Sequence, residues 1–90
     1  MGMVALTYKV MPNPDFGDVS PEDIATQIRA LADDVYDVQL VETKPLAFGL
    51  KFIQVHVVMN DGSGLSDVFE DAMKVIHGTG EIEVLSMGLL

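Results

Sequence analysis

Two apolar stripes at every second position constrain this chain more than any other feature. Val4, Leu6, Tyr8 and Val10 form the first, with Ala5, Thr7 and Lys9 between them. Ile53, Val55, Val57 and Met59 form the second, separated by residues that include Gln54 and His56. A period of two belongs to a strand with one face in a core and the other outside it. Both strands therefore need covering on one side only.

The rest of the chain supplies the cover. Pro12 ends the first strand, since proline cannot donate to a ladder, and residues 12–18 read as a loop. Ser20-Pro21-Glu22-Asp23 then opens a helix: a hydroxyl cap, proline at the first helical position, acids in the first turn. Ile24, Ile28 and Leu31, with Ala25 and Ala32, follow at helical spacing, and the helix is expected to end near Asp33 or Asp34. Tyr36 to Thr43 reads as a strand with Val38 and Leu40 inward. Phe52 to Met59 is the next, and Asn60-Asp61-Gly62-Ser63-Gly64 is a turn. Ser66-Asp67 is expected to cap a second helix with a buried stripe of Phe69, Ala72, Met73 and Ile76, stopped by Gly78. Glu81 to Met87 is the last strand, with Ile82 and Val84 inward.

The order is βαββαβ. With both helices on one face, right-handed crossovers predict an α+β, ferredoxin-like sandwich whose antiparallel sheet runs in the order 4-1-3-2. That topology puts the residues 44–51 at one end of the sheet and Leu89-Leu90 at the other. Ninety residues suit a single domain, 1–90, that buries about 60–65% of its unfolded surface, too little for a deep enzymatic cleft.

Composition narrows the function classes. The chain has no cysteine, so it has no disulfide, thiolate nucleophile or sulfur-ligated metal. No basic leader and no apolar run of spanning length are present, and the cytoplasm is the expected location. The net charge is −9, from 14 acidic and 5 basic residues, which disfavours phosphate backbones and thus direct nucleic-acid binding. The outward sheet positions Ala5, Thr7, Lys9, Gln54 and His56 lack the stacking aromatics of an RNA-recognition sheet. Lys44 and Lys51 flank residues 45–50, with Lys9 towards the end of the first strand, and these suggest a local basic zone.

Catalytic and metal-binding patterns are wanting. His56 is expected on the exposed sheet face and His77 at a helix C-terminus, where a cation is favourable. Neither has a neighbour at metal-ligand spacing, so no metal and no cofactor are expected. Glu81 and Glu83 share a strand face as solvated positions. No serine has a nearby histidine at informative spacing. Gly62-Ser63-Gly64 lacks the lysine of a phosphate loop and stands between Asp61 and Asp67.

One segment is out of place. Lys44-Pro45-Leu46-Ala47-Phe48-Gly49-Leu50-Lys51 lies between two strands, where a hairpin loop is normally polar. Its apolar residues are either a folded-back loop and strand-end core, with Phe48 capping the sheet, or a contact surface.

Lys9-Val10-Met11-Pro12, the loop Pro45-Leu46-Ala47-Phe48-Gly49-Leu50 and the acidic, glycine-containing turn before the second helix together resemble archaeal elongation factor 1-beta, over essentially the whole chain. The resemblance implies a guanine-nucleotide exchange factor that binds the GTPase elongation factor 1-alpha and is a monomer when free. It implies a partner-binding loop of Leu46, Ala47, Phe48, Gly49, Leu50 and Lys51, with Phe48 as anchor, and a second contact at the C-terminal end, here Met87, Leu89 and Leu90. The sequence departs from the family in two places. Eukaryotic members carry a penultimate lysine that reaches towards the partner's Mg²⁺ site, whereas Ser86-Met87-Gly88-Leu89-Leu90 holds no cation. Leu65-Ser66-Asp67 replaces a usual Gly-Thr-acid. A competing reading is a small-ligand-binding or dimerising regulatory domain of the same fold.

Overall fold

The computed structural model describes residues 2–15, 17–46, 49–61 and 64–90. Six elements follow one another: β1 (Met3–Pro12), α1 (Pro21–Arg29), β2 (Tyr36–Pro45), β3 (Lys51–Asn60), α2 (Leu65–Lys74) and β4 (Thr79–Leu89). The strands form one antiparallel sheet in the order β2-β3-β1-β4, the expected ferredoxin-like arrangement read from its other edge. Both predicted stripes face the core. Val4, Leu6, Tyr8 and Val10 of β1 and Ile53, Val55, Val57 and Met59 of β3 are all buried. Ile24, Ala25 and Ile28 of α1 and Phe69 and Met73 of α2 join the same cluster, so both helices lie on one side of the sheet. Each large apolar side chain hidden this way contributes about 1.5–3 kcal/mol.

The two tyrosine hydroxyls at the core's margin are satisfied. Tyr8 and Tyr36 both pack near Phe69, with ring centroids 6.0 and 4.9 Å from it. The Tyr8 hydroxyl donates to Glu70 Oε2 at 3.1 Å, and the Tyr36 hydroxyl to the Leu65 carbonyl at 2.8 Å. Burial first, then the nearby Glu70 carboxylate, pushes the Tyr8 phenol well above its ordinary pKa.

Four local expectations are corrected. α1 ends at Arg29, with Ala30 as its cap, rather than near Asp33 or Asp34. The Leu31 and Ala32 N–H groups bond three residues back, and Asp33 Oδ1 accepts from the Val35 and Tyr36 N–H groups, turning the chain into β2. In β2 a register shift between Val38 and Leu40 reverses the alternation. Leu40 therefore pairs with His56 on the open face, while Val41, opposite Val55, is buried. Gly64, at φ 81°, is the N-cap of α2 and Ser66 lies inside the helix, so Ser66 is not the cap. α2 also stops at Lys74, which leaves His77 beyond the last turn, its Nε2 3.4 Å from Asp18 Oδ2.

Candidate protein interface

The end of the sheet where β2 turns into β3 is assembled from three separate stretches. Leu46 N–H donates to the Leu50 carbonyl at 2.6 Å and closes the hairpin, and Gly49 takes φ 75°, which glycine adopts without strain. Ala47 and Phe48 lie outside the described residues. Leu46 is half-buried and Leu50 is 59% exposed. The end of β1 comes alongside, because Val10 pairs with Ile53. The N-terminus of α1 completes the group, held by its capping box: Ser20 Oγ accepts from Asp23 N–H at 3.2 Å, and Asp23 Oδ2 from Ser20 N–H at 3.3 Å.

Between these pieces lies a cleft of about 480 Å³ lined by Met11, Pro12, Pro14, Pro21, Glu22, Gly49, Leu50 and Lys51. Its walls are apolar apart from one ion pair at the rim, Lys51 Nζ to Glu22 Oε1 at 3.1 Å. The hydrogen bond from Lys51 holds the Glu22 carboxyl below its ordinary value. Behind the cleft the chain is pinned. Asn13 N–H donates to the Gly78 carbonyl at 2.7 Å. A side chain at Gly80 would meet the Met11 carbonyl oxygen at 2.9 Å, and one at Gly78 would meet Val19 at 2.9 Å.

The lysines of the expected basic zone are engaged within the fold. Besides the Lys51 pair, Lys44 Nζ is 3.7 Å from Glu42 and Lys9 Nζ lies 5.2 Å from the centroid of the Phe52 ring. The open face thus carries an aromatic that sequence reasoning missed: Phe52 shares its parity with Gln54 and His56, which alternation alone could have revealed. His56 Nδ1 is 2.9 Å from Thr7 Oγ1 on that face, and His77 is remote from it, so the two imidazoles do not meet. Among the described residues no group of His, Asp and Glu could hold a metal ion, and no helix is long and apolar enough to cross a membrane.

Met87, Leu89 and Leu90 are at the other end. Met87 pairs with Leu6 and Leu89 with Val4, while Pro12 pairs with Thr79 at the loop end. Eight residues of β1 separate the two ends, about 26 Å at strand rise. The structure thus brings Leu50 and Lys51 together with Met11 and Pro12, but keeps them apart from Met87, Leu89 and Leu90. Exposure climbs along the helix-side face of β4. Ile82 packs on the core, Val84 faces the same side but is 46% exposed rather than buried, and Met87 and Leu89 reach 70% and 73%. Leu90 is tied by its N–H to the Met3 carbonyl at 2.9 Å, yet its side chain is 75% exposed.

The model of the EF-1 guanine nucleotide exchange domain matches residues 5–90. The chain belongs to this family. Similar proteins named elongation factor 1-beta extend over nearly the same length. That of Methanosphaerula palustris is 36% identical over 89 residues, covering 99% of each chain. That of Aeropyrum pernix is 34% identical over 85 residues, 93% of this chain and 92% of its own. That of Thermoplasma volcanium is 27% identical over the full length of both. The family resemblance drawn from Lys9–Pro12 and Pro45–Leu50 is therefore borne out. In this exchange domain those two motifs, far apart in sequence, converge on the same cleft.

Proposed function

We propose that the chain binds elongation factor 1-alpha and speeds the exchange of its bound GDP for GTP. The observation that carries this reading is the convergence of Met11-Pro12 and Gly49-Leu50-Lys51 on one exposed apolar cleft. A cleft walled by proline, methionine and leucine with a single ion pair at its rim suits a protein surface better than a charged metabolite. Phe48 is the anchor, as buried aromatics are at interface centres. Leu46, Ala47, Gly49 and Leu50, its neighbours in sequence, add to that contact, and Lys51 exchanges Glu22 for an acid on the partner's rim.

Exchange needs no covalent step by this chain. If the factor binds the nucleotide-free GTPase more tightly than the GDP form, GDP is weakened by the same ratio. Met87, Leu89 and Leu90 make the second contact, about 26 Å from the first, so the GTPase is gripped at two separate places. Residues 86–90 carry no cation, and this contact acts by apolar displacement of the switch region that shields the Mg²⁺ and phosphates. Release of a fluorescent GDP analogue from elongation factor 1-alpha of the same source, chased with GTP, tests the reading. Acceleration in proportion to added protein is expected; an unchanged rate with folded protein and active GTPase would remove it.

A further inference from the structure

The two edges of the sheet are built differently. β2 carries Asp37, Glu42 and Lys44, is bulged between Val38 and Leu40, and ends in Pro45. These are devices by which an exposed strand avoids pairing with another chain. β4 has register shifts near its start and near Leu85, but from Ser86 to Leu89 it runs in unbroken register with β1. No charged side chain occurs from Val84 to Leu90. Leu90 N–H bonds to β1 through Met3. Alternate residues of an antiparallel strand face the same neighbour, so the N–H and C=O groups of Met87 and Leu89 point to the free edge. The same two residues are the most exposed of the strand's large apolar side chains. Backbone groups and apolar side chains are therefore presented together, and this stretch lacks the protection given to β2.

We infer that the Ser86–Leu89 stretch of β4 accepts an extended segment of the GTPase as a fifth strand, an inference that rests on the function proposed above. The segment carries apolar side chains beside Met87 and Leu89, and lysine or arginine where it passes Glu81 and Glu83. Charge complementarity selects this occupant. Glu81 and Glu83 are exposed at the other end of β4; Lys9 stands across from Glu83 in the ladder, but among the described residues neither acid takes part in an ion pair. A second copy, with its own net charge of −9, is repelled. Main-chain bonds then hold the segment in place, and the apolar and basic positions supply the choice of segment.

Amide hydrogen exchange measured by NMR on the full chain, free and bound to elongation factor 1-alpha, tests this. In the free protein the Met87 and Leu89 amides exchange quickly while those of Gly88 and Leu90 are protected. In the complex the Met87 and Leu89 amides are expected to slow by about 100-fold. Leu89→Pro removes an edge donor without taking a bond from β1, a placement an edge strand tolerates. It is expected to lower exchange activity about tenfold more than Leu89→Ala, with Gly88 and Leu90 still protected. A complex that shifts Leu50 and Lys51 but leaves the two amides unprotected overturns strand addition and spares GTPase binding. Absence of any complex sinks both. Protection in the free protein that rises with concentration assigns the edge to a second copy and overturns the inference.

Discussion

The two ends of the sheet present apolar surface in opposite ways. At the loop end, Leu50 projects from a frame closed by the Leu46–Leu50 bond, three prolines, the Asn13–Gly78 bond and the Lys51–Glu22 pair. At the other end, Met87, Leu89 and Leu90 hang on the β1 ladder alone, with their side chains largely in solvent. The first surface has its shape before a partner arrives, and so gives up less entropy on binding. The second gains shape from what lies against it. Affinity should therefore concentrate at the loop end, and the effect on nucleotide at the C-terminal end.

Phe48→Ala is the strongest attempt to break this contrast. It should weaken the complex by about 2 kcal/mol or more, roughly 30-fold in Kd, without lowering the melting temperature. Titration calorimetry beside a thermal melt decides between this and a core role, in which the melt would fall instead. The frame itself is open to attack at Gly78, whose φ is 95° and whose added Cβ would press on Val19. Gly78→Ala should cost about 2 kcal/mol of stability in urea unfolding and carry the loop end with it through Asn13. An unaltered midpoint would mean that the frame does not depend on that turn.

Removing Leu89 and Leu90 should change binding by only about 1 kcal/mol while slowing GDP release clearly. Equal losses in binding and release would dissolve the distinction between the ends. The smallest effect is expected from Glu22→Gln. Lys51 holds the folded-state pKa of Glu22 below its ordinary 4.5, so the pair's contribution is present above that value and lost as pH falls through the depressed one. The substitution should flatten the acid limb of the stability curve slightly and reduce its sensitivity to salt, as an exposed pair requires. A large loss at neutral pH would show that the pair holds the cleft open rather than merely edging it.

Much of this architecture is legible in the chain because it depends on local rules. Alternation at Val4–Val10 and Ile53–Met59 marks the core face of both central strands, since strand geometry sends every second side chain the same way. Ser20-Pro21 marks a helix start because its cap is a bond between near neighbours. The readings at Leu40 and Val84 went astray for a different reason. A bulge adds a residue to one strand only, and nothing in residues 36–41 announces it. Val84 keeps the inward parity, opposite Tyr8, but β4 is an edge strand and the cover there is incomplete.

The candidate interface divides along the same line. By itself the sequence determined that an apolar loop joins two strands, that residues 86–90 carry no cation, and that these features lie at opposite ends of a βαββαβ sheet, because order and periodicity dictate topology. Only the tertiary structure decided that Met11 and Pro12 line a cleft with Leu50, and that Lys9, Lys44 and Lys51 are all engaged within the chain. Those outcomes depend on contacts between residues as distant as 22 and 51. Pairing across such separations is set by how the layers pack, which no local pattern encodes.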